Sequence, residues 1–501
     1  MAAQDLKEKT AKGLFWGLAN NGSMQVLNLV FGIVLGRLLC EADYGLAGEV
    51  AVFTAIASAL QESGFISALI NRKNASREDF NSVFWFNVSV SACIYVILWF
   101  CAPLLVWYFH EPKLLWLSRY AFLAFFFASF SIAPRAHFYK NLMMKEQALI
   151  GIVALLLSGC VGVVMALCGM SYWSLVTQNI LFILTVSVLS WTISGFRPML
   201  HFAWKPVREM FGFSCKLLIT NIFNALNNSI FALLLGNFFT KSEVGRYQQA
   251  DKWNKMGSGL ITGMVQSVAQ PMFVQVEADE KERLVRAFRK MLRFTSLLAF
   301  PSMLGLALVT REFITLTVGP KWLPSAELMQ MLCIAGAFMP LAALYYNFLI
   351  SRGRSNIYMW NILTQGLITL SLLCATHFLK WSVHISVLHH PVELSGIRLM
   401  VLLYVMVYVA WMFVWHWFVH REVGLRLKDA LKDTLPFLLI AVVSMGVTAW
   451  LTSSLDNAIL LLAVRIVVAG VLYLGIVWLT GAHILRESIQ FIRQHGKQQT
   501  T

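Results

Sequence analysis

The chain has 501 residues, 58% of them hydrophobic and 13% charged, with a formal net charge of +15. So little charge at this size excludes a soluble enzyme or binding domain and indicates an integral membrane protein. Nucleic acid is excluded as a partner as well, because the basic surplus sits in short segments between apolar runs, where it acts as an orientation signal and a contact for anionic lipid headgroups.

Apolar stretches of about twenty residues, enough to cross roughly 30 Å of hydrocarbon, recur from near Gly13 to near Leu479. They predict fourteen helices, near 13–39, 43–70, 80–108, 114–133, 147–168, 171–194, 211–238, 243–270, 291–310, 325–350, 356–379, 394–419, 435–453 and 457–479. Lys7, Lys9 and Lys12 precede the first run. That run is too long and too polar for a cleaved leader and reads as a retained helix. Within it Asn21, Gln25 and Asn28 fall at i, i+4 and i+7, a single amide stripe. The second helix carries Glu49 and Glu62. A carboxyl inside a span can take up and release a proton, or hold sodium, during a transport cycle; for Glu62, near the cytoplasmic end, solvation is the plainer reading. Pro134 closes the fourth helix, leaving 134–146 as a loop.

The seventh helix holds Lys216 about a turn in, with Asn221, Asn224 and Asn228 as a second amide stripe. Such stripes cannot face lipid, so they either hydrogen-bond to neighbouring helices or line a wet cavity, where they can serve sugar hydroxyls. The eighth helix places Arg246, Asp251, Lys252 and Lys255 in one apolar segment with Gln248, Gln249 and Gln266. Asp251 and Lys255, one turn apart, can pair, which leaves Lys252 or Arg246 as a surplus cation for a pyrophosphate headgroup. A structural ion pair with a snorkelling lysine is the competing account. The insert 276–293 puts Leu284, Phe288 and Leu292 at helical spacing, an amphipathic surface helix joining two halves. Pro320 and Pro324 open the tenth helix. His384, His389 and His390 lie in the loop at 380–393, better explained by solvation than by a metal. Arg37 anchors an interface, and Arg465, in the last helix, pairs or snorkels locally. The eight cysteines are scattered without disulfide or metal spacing.

With an even helix count both termini share one side. The segments on that side hold 27 Lys and Arg against five in the alternate loops, which places both termini in the cytoplasm. A gap-free offset of 200 residues aligns 21–46 with 221–246, matching Asn21 to Asn221, Asn28 to Asn228, Phe31 to Phe231, Leu35 to Leu235, Gly36 to Gly236 and Gly45 to Gly245. Two related bundles are the architecture of alternating-access transporters. No phosphate-binding glycine loop is present, so the chain by itself is not an ATP-driven pump.

The segments LKEKTAKGLFW (6–16), GRLLCEADYG (36–45) and GFISALINRK (64–73), followed in order by VFWFN (83–87), PRA (134–136), VGRY (244–247), VGPKW (318–322) and SRGR (351–354), resemble the polysaccharide-transporter family of Wzx-type exporters. The likeness is closest to its colanic-acid-exporter-like, lipopolysaccharide and O-antigen branch. It spans roughly Leu6 to Arg354, and the last four helices match by no motif. The resemblance implies an all-α polytopic fold of the multidrug/oligosaccharidyl-lipid/polysaccharide superfamily. In that fold an N-terminal six-helix bundle (1–200) and a second (201–420) form a V, followed by two further helices and a basic tail (421–501). It implies, too, movement of undecaprenyl-pyrophosphate-linked oligosaccharide repeat units across a bacterial inner membrane, driven by a proton or sodium gradient and without a cofactor. A polysaccharide polymerase and chain-length machinery are the implied partners. Lys216, Arg246, Lys252 and Lys255 fit the family's cationic cavity by position type, with the two amide stripes beside them and Glu49, Asp251 and Glu62 as ion-coupling candidates. Glu41 replaces the usual proline of the 36–45 turn and should loosen it. Two rivals remain: a multidrug cation antiporter, whose pore should be dominated by carboxylates, and a polymerase or ligase, which should show a large extracytoplasmic loop.

Overall fold

The computed structural model of the chain describes residues 21–61, 65–72, 76–141, 143–199, 201–275, 281–380, 383–387 and 390–480. Helix α1 covers 21–38. It is followed by α2 (Glu41–Gln61), α3 (Phe65–Asn71), α4 (Arg77–Phe109), α5 (Leu114–Ala121), α6 (Leu123–Ser129), α7 (Ile132–Lys140), α8 (Met144–Leu167) and α9 (Ser171–Ser194). Then come α10 (Trp204–Phe238), α11 (Lys241–Gln275), α12 (Lys281–Leu308), α13 (Thr310–Thr317), α14 (Leu323–Ser351) and α15 (Ser355–Phe378). An antiparallel hairpin, β1 (Val383–Val387) with β2 (His390–Leu394), precedes α16 (Gly396–Val423), α17 (Leu427–Leu451) and α18 (Ala458–Leu479).

Among the described residues nine helices are long and apolar enough to cross a membrane, ten if the bent pair Leu114–Ser129 and Ile132–Lys140 is one span. The chain is a multi-pass membrane protein. The four other predicted spans coincide with α1, α2, α10 and α11. All four are helical.

The fold is all-helical as expected, with the short β1–β2 hairpin in the connection before α16. Two expectations are corrected. Pro134 does not end a helix: it sits in the first turn of α7, a position that needs no backbone N–H, and the span bends by 41° instead. The surface helix at 276–293 is not a separate connector either. From Lys281 onward it is continuous with the ninth predicted span as α12, because Leu284, Phe288 and Leu292 are all buried.

Local signals set the ends. Ser76 and Asp79 form a reciprocal capping box at the start of α4, while Gly195 and Gly424 close α9 and α16 in the left-handed conformation. Contacts divide the chain into Met1–Gln248 and Gln249–Thr501, a cut that falls inside α11. In the first unit Leu46, Val50, Phe109, Leu117, Val176 and Ile180 form a core between α2, α4, α5 and α9. In the second, Phe273, Phe288, Tyr345 and Phe348 pack with ring centroids 5.1–5.9 Å apart. Lipid tails are as apolar as leucine, so close packing rather than water exclusion holds such helices together. Gly159 of α8 accordingly lies directly against the Phe31 ring of α1.

Candidate functional site

The repeat seen in the sequence is a repeat of structure. The chain turns between α1 and α2 at Cys40 and between α10 and α11 at Thr240. The Cys40 amide donates to Asp43 Oδ2 at 3.0 Å, and the Thr240 amide donates to Glu243 Oε2 at the same distance. Each is a helix start capped by an acid three residues on, and the two stand 200 residues apart. Beyond the turns, α2 meets the first two turns of α11 inside the first unit. A Cβ on Gly45 would strike the Lys241 carbonyl, and one on Gly245 would strike the carbonyl of Glu41, its sequence equivalent. Only glycine permits so close an approach.

Two ion pairs flank this crossing. Arg246 Nε donates to Glu41 Oε2 at 2.9 Å. Lys241 Nζ donates to Glu49 Oε1 at 2.6 Å and to the Phe109 carbonyl at 3.2 Å, and lies 5.6 Å from the Phe109 ring centroid. The Glu49 side chain is 0% exposed, and its Oε2 has no hydrogen-bond partner among the described residues. Glu41 therefore does not loosen its turn: it opens α2 and holds Arg246. Nor is Arg246 a surplus cation, being committed to Glu41.

Further along α11, Lys255 Nζ meets Asp251 Oδ2 at 2.7 Å, the pair expected from their spacing. The Lys255 side chain is nevertheless 54% exposed in the middle of a 35-residue helix. A charged side chain so placed is costly against hydrocarbon. Lys252 Nζ stands 5.4 Å from the Trp253 ring centroid. Tyr404 of α16 interacts electrostatically with both Asp251 and Lys255, and its ring lies 6.3 Å from that of Tyr408. Gln266 Nε2 donates to the Tyr346 hydroxyl at 2.6 Å, and the rings of Tyr346, Tyr358 and Trp415 follow at 5.3 and 6.2 Å. Sequence reasoning missed these aromatic residues, although Tyr404, Tyr408, Trp411 and Trp415 recur at i, i+4, i+7 and i+11 on α16. Flat rings beside amides and cations can stack on the apolar faces of sugar rings while the polar groups engage hydroxyls and phosphates.

Other predicted residues scatter. On α1, Asn21 and Asn28 are exposed and Gln25 is half-buried. Lys216, Asn221, Asn224 and Asn228 lie in α10, with side chains outside the described set, and Glu62 lies outside the described residues. Arg37 is exposed. Arg465 pairs locally, donating to Glu312 Oε1 at 2.9 Å and to the Leu308 carbonyl at 3.3 Å. Arg289 and Arg293 of α12 both hold the buried Asp433 of α17, each with a bond of 2.6 Å. His384 and His390 lie in the hairpin and His389 outside the described residues, among which no group of three His, Cys, Asp or Glu could hold a metal.

A family model described as "Polysaccharide biosynthesis protein" matches residues 34–327. The chain is 26% identical over 362 residues to the lipopolysaccharide biosynthesis protein WzxC of Escherichia coli (strain K12), covering 70% of this chain and 72% of that one. It is 23% identical over 376 residues to the teichuronic acid biosynthesis protein TuaB of Bacillus subtilis (strain 168), covering 74% and 77%. Its fold is that of the lipid II flippase MurJ in an inward closed conformation, with a TM-score of 0.73 at 13% identity over 95% of this chain and 100% of that one. Carrying the family match over more than half its length, from within α1 to the start of α14, the chain belongs to the polysaccharide biosynthesis protein family.

Proposed function

We propose that the chain carries an undecaprenyl-pyrophosphate-linked oligosaccharide repeat unit from the cytoplasmic to the periplasmic leaflet of a bacterial inner membrane. Two six-helix lobes, 1–200 and 201–420, rock about a central site and are followed by two accessory helices, for fourteen spans in all with both termini in the cytoplasm. A proton or sodium gradient drives the cycle, and a polymerase with its chain-length machinery consumes the product. The family, the names of WzxC and TuaB, and the fold shared with a lipid II flippase support this reading. The observation that carries it is the mid-helix cluster of Asp251, Lys252 and Lys255 beside Tyr404. It offers solvent-accessible positive charge for a pyrophosphate within reach of rings suited to sugars. A multidrug cation antiporter would place acids there, and Asp251 is already matched by Lys255.

The test is export of polymer, or flipping of a fluorescent lipid-linked sugar, in K252Q/K255Q. Two charge-assisted contacts at about 1.5–3 kcal/mol each predict a fall of about a hundredfold or more with normal membrane insertion. D251N/K255Q leaves no unpaired acid behind. Lost transport there places Lys255 at the substrate, whereas normal output from both variants removes these lysines from the mechanism.

A further inference from the structure

The crossing of α2 and α11 contains a buried acid that substrate binding does not employ. The Glu49 side chain is fully buried: Lys241 bonds one oxygen, Gly236 of α10 lies against its Cγ, and the same Lys241 also donates to the Phe109 carbonyl at the end of α4. The second carboxylate oxygen is buried without a hydrogen-bond partner among the described residues. A carboxylate so placed has one vacant acceptor position and, among the described residues, takes its charge compensation from Lys241, an arrangement stable in one protonation state and poised for change in the other. The equivalent position in the second repeat is Gln249, also fully buried, so the protonatable version of this side chain occurs in the first repeat alone.

On the reading of the chain as a gradient-coupled flippase, we propose that Glu49 is the proton-binding group of the cycle and that its protonation releases Lys241 and lets the Gly45–Gly245 crossing part. The proton adds to the free Oε2, the acid becomes neutral, and the Lys241 ammonium keeps its own protons, so the site passes from neutral to singly positive. Ammonium without a counter-ion is not retained in so tight a packing, and Lys241 is already 20% exposed, with a path outward. Glu111, just beyond α4, is the other anion acting on Glu49. Arg246, on α11, is held by Glu41. Of the helices packed on α2, α5 contributes Arg119, which lies over the rings of Trp99 and Trp116, and α9 contributes Tyr172, in ring contact with Trp173. Lys205, Arg208 and Glu209 of α10 lie about 40 Å along that helix from Gly236 at 1.5 Å per residue.

Spin labels on A42C and S242C, in a background with its native cysteines replaced by alanine and reconstituted in sodium-free lipid nanodiscs, report the separation of the crossing. Between about pH 9 and about pH 5 the parent gains a long-distance population, its ratio to the short one rising by at most about tenfold per pH unit, as a single linked proton requires. E49Q, a neutral mimic matching Gln249, shows the long distance at every pH. K241M removes the ammonium whose release parts the crossing, so the acid-induced long-distance population is lost; this keeps the assignment testable if E49Q does not fold, and a K241M that opens on acidification as the parent does overturns it. A parent that ignores pH, a parent that responds only when sodium is added, or an E49Q that responds as the parent does overturns the assignment. Sugar-lipid transport is scored separately through K252Q/K255Q, so failure of the flippase reading and failure of the proton site give different results.

Discussion

Gly45 and Gly245 each lie over the carbonyl of the other helix's first residue, and this geometry makes a sharp forecast. In G45A or G245A the added methyl meets backbone, which cannot rotate away, and overpacking of this kind costs about 1–3 kcal/mol. A lower midpoint in thermal unfolding of the purified protein is expected for both. G446A is the control, because a Cβ there meets nothing within 4 Å, and helix propensity favours alanine over glycine by up to about 1 kcal/mol. What the sequence revealed of single residues followed distance along the chain. Asp251 and Lys255 lie one turn apart and their pairing was readable. Glu41 finds Arg246 205 positions away, and Glu49 finds Lys241 192 positions away. No spacing rule reaches so far. The tyrosine row on α16 was readable in principle, but in an apolar segment an aromatic stripe at helical spacing looks like ordinary packing.

Among the helices, α18 is fixed to α13 by a pair whose members are both mostly buried, Arg465 at 16% and Glu312 at 10% exposed. Removing one partner strands the other, so R465M should cost more than R465M/E312Q, with a coupling of about 0.5–3 kcal/mol in a double-mutant cycle of unfolding midpoints. Equal costs in the single and double variants would assign the anchoring of α18 to Tyr473 and its apolar contacts. All fourteen predicted helices were placed from their apolar stretches, and the repeat then related the two pairs that carry polar faces. Two elements were misjudged for physical reasons. α12 looked like a surface segment because its charges were counted, whereas Arg289 and Arg293 turn towards Asp433 and Leu284, Phe288 and Leu292 turn inward. The hairpin was taken as loop although Val383, Ile385 and Val387 alternate with polar residues, the period of a strand.

Fourteen spans with both ends in the cytoplasm require the β1–β2 hairpin to lie in the periplasm. Alkaline phosphatase inserted between β1 and β2 should be active, and green fluorescent protein fused after Thr501 should fluoresce; the opposite pattern would invert the proposed orientation. The twofold repeat was legible as six matched residues, and its meaning became visible only where the two turns present equivalent acidic caps and reciprocal glycines. The ion pairs at that crossing also bear on biogenesis. During translation Glu41 and Glu49 leave the ribosome first, and Lys241 follows Glu49 by 192 residues, a wait of about 10–40 s at typical elongation rates. A glutamate can pass that interval neutral by borrowing a proton, whereas an arginine cannot shed one. With the acids synthesised ahead of their bases, the early helices can settle in the bilayer before their partners exist.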